Sequence, residues 1–235
     1  MKVTKAKFKT YKNVFDNFTE RNLFKLASQG HFDNLESPLF IGKESNVFTA
    51  LKGRKKVIVK IYRLESCDFN RMYDYIKYDP RYYGVKNNRR KVIFAWTQRE
   101  FRNIMKARDA GVKVPLPYTC LYNIIVMEHI GIREASPKIK DKLPATKAGL
   151  KKLFDDVVMN MKKLHKAGLV HADLSAFNIL NRDGKAVFID FSQATPINSS
   201  RSWEYLERDV KNIVNFFNKK GLDADAGKII ERIKS

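Results

Sequence analysis

The chain of 235 residues is poor in cysteine and has no long apolar run. Its two cysteines, Cys67 and Cys120, lie far apart and form no Cys-x-x-Cys pair, which argues against a disulfide framework or a zinc site. No stretch approaches the roughly 18–20 apolar residues that a membrane-spanning helix requires. The basic N-terminus is not followed by an apolar signal region. We therefore expect a protein without disulfides or membrane attachment, located in the cytoplasm.

Acidic residues are scarce relative to basic ones. The chain has 46 Lys and Arg against 25 Asp and Glu, which gives a formal net charge of +21. Such an excess destabilises a compact chain by self-repulsion, and its usual purpose is to bind a polyanion, either nucleic acid or an acidic membrane surface. The excess is uneven, since residues 1–120 carry a net +15 and residues 121–235 a net +6.

Apolar periodicity predicts strands early in the chain and helices later, which indicates an α+β fold with two lobes. Strands are predicted over 38–62 and 123–128, and a hairpin over 179–189 around an Asp-Gly turn. Helices are predicted at 19–30 with Thr19 as the cap, at 93–108, at 150–168 and at 203–217. The corresponding domains are a basic arm and helix (1–37), an N-lobe (38–127) and a C-lobe (128–235).

Two basic segments are candidate docking surfaces. Five lysines within residues 1–12 predict a mobile or partner-binding arm. In residues 71–91 basic residues and tyrosines mix without a clear period, which predicts a long insertion or a partly helical loop. Tyr and Arg can stack on unpaired bases while Lys and Arg contact phosphates, so we expect RNA to bind here, with Arg89, Arg90 and Lys91 as contacts. The alternative is a solvated loop whose tyrosines pack on the lobe.

Potential catalytic residues concentrate in residues 171–178 and 189–193. Asn178 follows Asp173 by five residues, and the hairpin between Asn178 and Asp190 would bring these two side chains together. Amide and carboxylate oxygens suit Mg²⁺, and Asp173 would supply a carboxylate for an acceptor hydroxyl, as phosphoryl transfer requires. The simpler interpretation, in which Asp173 caps a turn and Asn178 satisfies backbone groups, does not explain their order.

That order is the order of the protein-kinase signature, which also requires an upstream strand lysine and helix carboxylate. Lys60 is the one charged residue inside the apolar run 57–62, and Glu100 lies on the apolar stripe of its helix between Trp96 and Ile104. Burying either charge alone is costly, so we expect them to pair. The simpler alternatives are that Lys60 points to water from an edge strand and that Glu100 lies on a solvated helix face.

Two features depart from ordinary protein kinases. Residues 42–47 contain one glycine where Gly-x-Gly-x-x-Gly is expected. Only 45 residues follow Asp190, and they contain no Ala-Pro-Glu. We therefore expect a minimal kinase-like fold with a truncated C-lobe and no activation segment.

Four motifs together resemble those of the RIO family of atypical protein kinases: Gly-Lys-Glu-Ser-Asn-Val, Val-Lys-Ile-Tyr, His-Ala-Asp-Leu-Ser-Ala-Phe-Asn and Ile-Asp-Phe-Ser-Gln. His-Ala-Asp-Leu-Ser and the final Ser-Gln resemble the first subfamily, the archaeal-type RIO serine protein kinases. The resemblance covers about residues 38–217. It implies ATP with Mg²⁺, or Mn²⁺ in its place, and serine phosphorylation or ATP hydrolysis. It also implies a role in maturation of the small ribosomal subunit, whose precursor or rRNA would contact residues 71–91.

The resemblance also implies roles for individual residues. Lys60 would hold the α- and β-phosphates and pair with Glu100, and Asp173 would be the catalytic base. Asn178 and Asp190 would be the Mg²⁺ ligands, and Asp190 would also be a candidate phosphate acceptor. The loop that covers the phosphates would include Lys43, Ser45 and Val47, and the hinge that meets adenine would include Met127, Glu128 and Ile130.

Two other functions stay open from the residues alone. A small-molecule phosphotransferase of the aminoglycoside or choline type shares the order of the motifs, although such enzymes tend to have an acidic pocket and more C-terminal helices. A non-catalytic RNA-binding module with a kinase-like fold is the second, and the complete set Lys60, Asp173, Asn178 and Asp190 argues against it.

Overall fold

The computed structural model describes residues 15–235, so the predicted basic arm of residues 1–12 lies outside the described part. The chain divides into two compact units. Unit 1 comprises the described residues up to Phe101 together with Leu116–His129, and unit 2 comprises Arg102–Pro115 and Ile130–Ser235. Within residues 15–235, no helix is long and apolar enough to cross a membrane.

Unit 1 is built on a five-stranded antiparallel sheet with the order β1-β2-β3-β5-β4. Its strands are β1 (Asn34–Ile41), β2 (Ser45–Lys52), β3 (Lys55–Tyr62), β4 (Pro117–Leu121) and β5 (Ile124–Glu128). The β-branched run predicted over 57–62 is the central strand, with β2 on one side and β5 on the other. Its side chains are therefore mostly buried, and any polar group on it needs a partner.

The helices of unit 1 differ from the predicted ones in their first turns. They are α1 (Asn17–Ser28), α2 (Phe69–Lys77) and α3 (Arg89–Asp109), of which α3 continues into unit 2 after Phe101. Asp16 caps α1 by accepting from Phe18 N and Thr19 N, so the prediction of Thr19 as the cap is wrong. Thr19 lies inside the helix and is buried. Its hydroxyl donates to Asp16 and accepts from Asn123, so its polar group is satisfied there.

The segment of residues 71–91 is partly helical. It contains most of α2 and a short 3₁₀-helix at Pro80–Tyr82, and α3 begins at Arg89. Asp68 caps α2 through Arg71 N, and Asp79 caps the 3₁₀-helix through Arg81 N. Capping by aspartates therefore marks the start of both helical pieces of this segment.

Unit 2 contains the end of α3, three further helices and two small antiparallel sheets. The helices are α4 (Lys147–Lys166), α5 (Ser202–Asn218) and α6 (Ala226–Lys234), and the strand pairs are β6 (Leu169–Val170) with β9 (Thr195–Pro196) and β7 (Ile179–Arg182) with β8 (Lys185–Phe188). The β7–β8 turn has φ of 52° at Asp183 and 80° at Gly184, as the Asp-Gly pair predicts. Helix α6 packs against α4 and α5 through buried Ile229 and Ile233, and the sequence did not predict it.

Candidate active site

A buried ion pair joins β3 to α3 in unit 1. Lys60 Nζ lies 2.7 Å from Glu100 Oε1, with Lys60 7% exposed and Glu100 1% exposed. Because β3 is the central strand, the alternative of an edge-strand lysine pointing to water does not hold. A buried pair of this geometry holds the ammonium group in one position.

Tyr62 completes the environment of the Glu100 carboxylate. Its hydroxyl donates to Glu100 Oε2 at 2.6 Å, so each carboxylate oxygen has its own buried donor. Lys60 and Tyr62 are two positions apart on one strand and therefore project to the same face. The sequence reasoning did not assign Tyr62 a role, although this alternation could have indicated it.

The predicted phosphate loop is the hairpin turn between β1 and β2. Gly42 N donates to Ser45 O at 3.0 Å. A Cβ at Gly42 would lie 2.5 Å from Cε1 of the exposed Phe40 ring and 3.1 Å from Ser45 O, so a side chain here would displace Phe40. Lys43 is exposed, Ser45 and Val47 are half-buried, and Val47 is opposite Lys60 in the β2–β3 register.

The predicted hinge residues lie at the end of β5 and just beyond it. Glu128 N donates to Leu116 O at 2.8 Å, and the Glu128 carboxylate accepts from Leu116 N at 3.0 Å. Met127 is paired with Ile58 in the sheet. In unit 2, Ile130 O accepts from Ser136 N at 2.7 Å. These hydrogen bonds use Glu128 N, the Glu128 carboxylate and Ile130 O, and the role of Met127, Glu128 and Ile130 in meeting adenine stays a prediction.

In unit 2, the loop after β6 brings Asp173 and Asn178 together. Asn178 Nδ2 donates to Asp173 O at 2.9 Å and to Asp173 Oδ2 at 3.2 Å, and both side chains are half-buried. Because the amide nitrogen is engaged in this way, the amide oxygen of Asn178 is the atom left for a ligand.

Asp190 lies next to Asn178 along the same hairpin. Ile189 N donates to Asn178 O at 3.0 Å, and His171 Nε2 donates to Ile189 O at 3.1 Å, since a carbonyl can only accept. Asp190 has a φ of 64°, and its Oδ1 accepts from Ser192 Oγ at 2.8 Å. A non-glycine residue in this left-handed region costs about 1–3 kcal/mol, which the surrounding hydrogen bonds must offset.

The donor set of Asn178 and Asp190 fits Mg²⁺. Both side chains offer hard oxygen donors, and both are half-buried rather than sealed in the core. Mg²⁺ is usually held by one or two protein oxygens together with phosphate oxygens and waters, so two side chains are enough.

Asp209 on α5 supports the backbone of the Asp173 loop. It is 1% exposed and accepts from Ala172 N at 2.8 Å and from Leu174 N at 2.9 Å, on either side of Asp173. Arg208 donates to Ala172 O, and Ala172 itself has a φ of 64°. Burial raises the pKa of Asp209 to about 7, although the two backbone N–H groups and Arg208 act in the opposite direction.

The sequence reasoning missed Asp209. It lies on the apolar stripe of α5 between Leu206 and Val210, the same pattern that identified Glu100. Asn103 was also missed: in unit 2 its Nδ2 donates to Phe191 O at 3.1 Å and Ala194 O at 2.8 Å, which fixes the loop after Asp190. A buried side-chain amide requires hydrogen-bond partners, and this requirement could have indicated the role of Asn103.

Residues 46–229 match the RIO domain family model. The chain belongs to the RIO family of atypical protein kinases. It is 39% identical over 229 residues to the RIO-type serine/threonine-protein kinase Rio1 of Haloferax volcanii, covering 95% of this chain and 77% of the relative. It is 35% identical over 189 residues to Rio1 of Thermoplasma acidophilum, covering 80% of this chain and 98% of the relative. The predicted family, its first subfamily and the enzyme class of an atypical serine/threonine protein kinase are confirmed.

The kinase-like α+β fold class is confirmed by solved structures. The Rio2 kinase of Chaetomium thermophilum, in its complex with ADP/Mg²⁺ and phosphoaspartate, matches with a TM-score of 0.67 at 19% identity, and a second structure of that kinase matches with 0.68 at 21%. The matches cover 91% and 89% of this chain, but only 65% and 66% of those chains. At this identity they establish the fold alone, and the roles of individual residues stay predictions.

Proposed function

We propose that this RIO protein is an ATP- and Mg²⁺-dependent phosphotransferase that phosphorylates serine hydroxyls. The observation that carries the proposal is the arrangement in unit 2, where Asn178 is bonded to Asp173 and to the backbone beside Asp190. It supplies metal ligands and an acceptor carboxylate within one short segment. The names of the archaeal relatives and the ADP/Mg²⁺ complex of the Rio2 kinase support the same chemistry.

In unit 1, Lys60 would bind the α- and β-phosphate oxygens of ATP. Glu100 orients the ammonium group, and the hydrogen bond from Tyr62 holds the carboxylate in place. Because these groups are already in place, little reorganisation is needed when the phosphates bind. Lys43, Ser45 and Val47, in the turn before Lys60 and opposite it in the sheet, would cover the phosphates.

In unit 2, Asn178 and Asp190 would hold Mg²⁺, which when bound neutralises phosphate charge and orients the phosphoryl group. Asp173 would accept a hydrogen bond from the substrate hydroxyl and take its proton as the phosphoryl group transfers. Its orientation depends on Asn178, while Asp209 fixes the backbone on both sides of it.

ATP hydrolysis through Asp190 is a second candidate, favoured by the phosphoaspartate in the related Rio2 structure. An oxygen of the Asp190 carboxylate would attack the γ-phosphorus with release of ADP, and water would then cleave the acyl phosphate. The left-handed backbone at Asp190 and the hydrogen bond from Ser192 hold this carboxylate in a defined position.

Residues 71–91 would dock the enzyme on a ribosomal RNA precursor of the small subunit. Exposed side chains of this segment include Arg71, Lys77, Arg90 and Lys91, together with Tyr78 and Tyr83. Arg89, by contrast, donates to the carbonyl oxygens of Leu64, Glu65 and Cys67, so we remove it from the predicted phosphate contacts. The cytoplasmic location stays a prediction.

Incubation with ATP labelled at the γ-phosphate tests the proposal. Mg²⁺-dependent, acid-stable label on serine would support the kinase, and label on Asp190 that hydroxylamine removes would support hydrolysis through the acyl phosphate. A parallel reaction with Mn²⁺ tests whether that ion substitutes. If the folded protein binds ATP but neither incorporates label nor releases phosphate, the proposed function is wrong.

A further inference from the structure

Unit 1 contains an open pocket of about 400 Å³ beside the 3₁₀-helix, between the turn that follows it and the first half of α3. Such a volume is within the range of about 300–1,000 Å³ typical of small-ligand sites. Tyr82, Val85, Phe94 and Ala95 supply an apolar lining. The exposed Lys86 and Lys91 also line the pocket, and none of its lining residues is acidic.

The segment that forms this pocket is anchored before and after it. Before the pocket, buried Asp79 accepts from Arg81 at 2.6 Å and from Arg99 Nε at 2.9 Å. Burial opposes ionisation of Asp79, but the two guanidinium groups outweigh it and lower the pKa of the carboxyl. After the turn that lines the pocket, the guanidinium group of Arg89, the first residue of α3, donates to Leu64 O at 2.8 Å. The pocket is therefore preformed, which reduces the cost of ordering it around a ligand.

The lining defines the chemistry of the occupant. The Phe94 ring is held by a stacked contact with Phe18, with centroids 5.6 Å apart, and by a tilted contact with Tyr122 at 5.1 Å. It therefore offers a fixed aromatic surface to a flat ring. Arg81 is paired with Asp79 and Arg89 with backbone carbonyls, but the exposed Lys86 and Lys91 line the pocket and residues 81–91 contain no acidic residue, so the pocket favours negatively charged groups beside that ring. A planar base between phosphates has both properties.

We propose that this pocket is a nucleobase subsite that takes one unpaired nucleotide of a single-stranded RNA. The base would enter against Phe94, Tyr82 and Val85, and the neighbouring phosphates would meet Lys86 and Lys91. Gly84 lines the pocket with a φ of 86°, a backbone conformation that favours glycine in this turn. This inference rests on the proposed docking of RNA by residues 71–91 and adds the site of base recognition.

The test measures binding of fluorescein-labelled oligouridylate and of an abasic ribose-phosphate oligomer of the same length, over a range of salt concentrations. We expect the full-length protein to bind the base-bearing strand about tenfold more tightly. Gln98 lines the pocket from an exposed position on α3, so Gln98→Trp should fill the pocket and abolish that preference. Gln98→Ala is the matched control and should retain it.

The lysines are tested in the same assay. Lys86→Gln and Lys91→Gln should each reduce the salt slope by about one for both strands. Equal affinities of the unmodified protein for the base-bearing and abasic strands, with a normal salt slope, would overturn the subsite and leave RNA docking intact. Failure to bind either strand would instead overturn the docking proposal itself. An aromatic acidic peptide whose binding Gln98→Trp blocks, without any preference for bases, would overturn the subsite in favour of a protein partner.

Discussion

Among residues 15–235, each unit buries one aspartate, and the two are stabilised in opposite ways. Asp79 in unit 1 is surrounded by the guanidinium groups of Arg81 and Arg99, which lower its pKa. Asp209 in unit 2 accepts mainly from backbone N–H groups, and burial raises its pKa to about 7. Full opposite charges therefore compensate burial where peptide dipoles and a nearby arginine do not.

This difference corresponds to what each carboxylate does. Asp79 holds side chains and so ties residues 79–81 to α3 through a buried charge network. Asp209 holds the peptide groups on both sides of Asp173 and so fixes a loop. The comparison predicts that charge matters most at Asp79 and hydrogen-bonding geometry matters most at Asp209.

The largest effect is expected for Asp79→Ala. The substitution leaves the buried Arg99 without its carboxylate, which should lower the free energy of unfolding by about 3–5 kcal/mol. Urea denaturation measures it. Asp74→Ala is the control, because Asp74 forms an exposed pair with Lys77 whose loss should change the free energy of unfolding far less. Equal losses for the two variants would contradict the buried network.

The pH dependence of stability should have opposite signs at the two sites. Asp209 has a folded pKa of about 7 against an ordinary value of 3.8, so its contribution is complete below about pH 4 and is lost as pH rises to 7. The loss should be on the order of 4 kcal/mol. Asp79 has a lowered pKa, so its contribution is present above about pH 4 and is lost as pH falls below that value.

Denaturation of the wild type, Asp209→Asn and Asp79→Asn between pH 3 and 8 isolates the two contributions. The difference between wild type and Asp209→Asn should decrease from pH 4 to 7, whereas the difference between wild type and Asp79→Asn should be constant there. If the first difference does not change with pH, Asp209 is ionised in the fold throughout and the contrast between the units is wrong.

Asp209→Asn should also impair catalysis at neutral pH. The amide can accept from only one of the two N–H groups, and leaving the other unsatisfied costs about 1–3 kcal/mol. We expect kcat to fall about tenfold, with little change in the KM for ATP, because the binding contact of Lys60 is in unit 1. Glu204→Gln, on the exposed surface of the same helix, should leave both constants unchanged. A higher KM with unchanged kcat would exclude a positioning role for Asp209.

The smallest effect is expected for Tyr62→Phe, which removes the donor to Glu100 Oε2 and leaves the Lys60 pair intact. Losing one hydrogen bond of this kind should cost about 1 kcal/mol and raise the KM for ATP about fivefold. Tyr83→Phe is the control, since Tyr83 is 92% exposed. An unchanged KM would show that Lys60 alone fixes the carboxylate.

Sequence reasoning predicted parts of the site where a charge interrupts an apolar pattern. Lys60 and Glu100 were paired for this reason, and the β7–β8 hairpin that brings Asn178 and Asp190 together followed from its Asp-Gly turn. It did not find Asp209, whose pattern is equally clear, because its partners are backbone groups of a loop 35 and 37 residues away along the chain. Backbone partners leave no signal in the amino-acid sequence.

The secondary structure was missed in two helices of nine residues each. Helix α2 begins at the Asp68 cap in a segment that also contains Pro80 and Gly84, and α6 packs against α4 and α5, of which α4 is distant in sequence. Thr19 and Asp16 are both good caps three residues apart, so composition alone could not choose between them. The nucleobase pocket was not visible either, because a turn and a helix form it together.

The most direct test of the account is the Mg²⁺-dependent turnover of ATP by Asp190→Asn. Asparagine tolerates the left-handed backbone at this position, so the fold should be retained while the metal-binding charge is removed. Asp183→Asn is the matched control, because Asp183 also has a positive φ but lies at the exposed tip of the β7–β8 hairpin. We predict that ADP release falls at least about 100-fold in Asp190→Asn and is unchanged in Asp183→Asn. Turnover within about twofold of the wild type in a folded Asp190→Asn protein would contradict the assignment of the metal site.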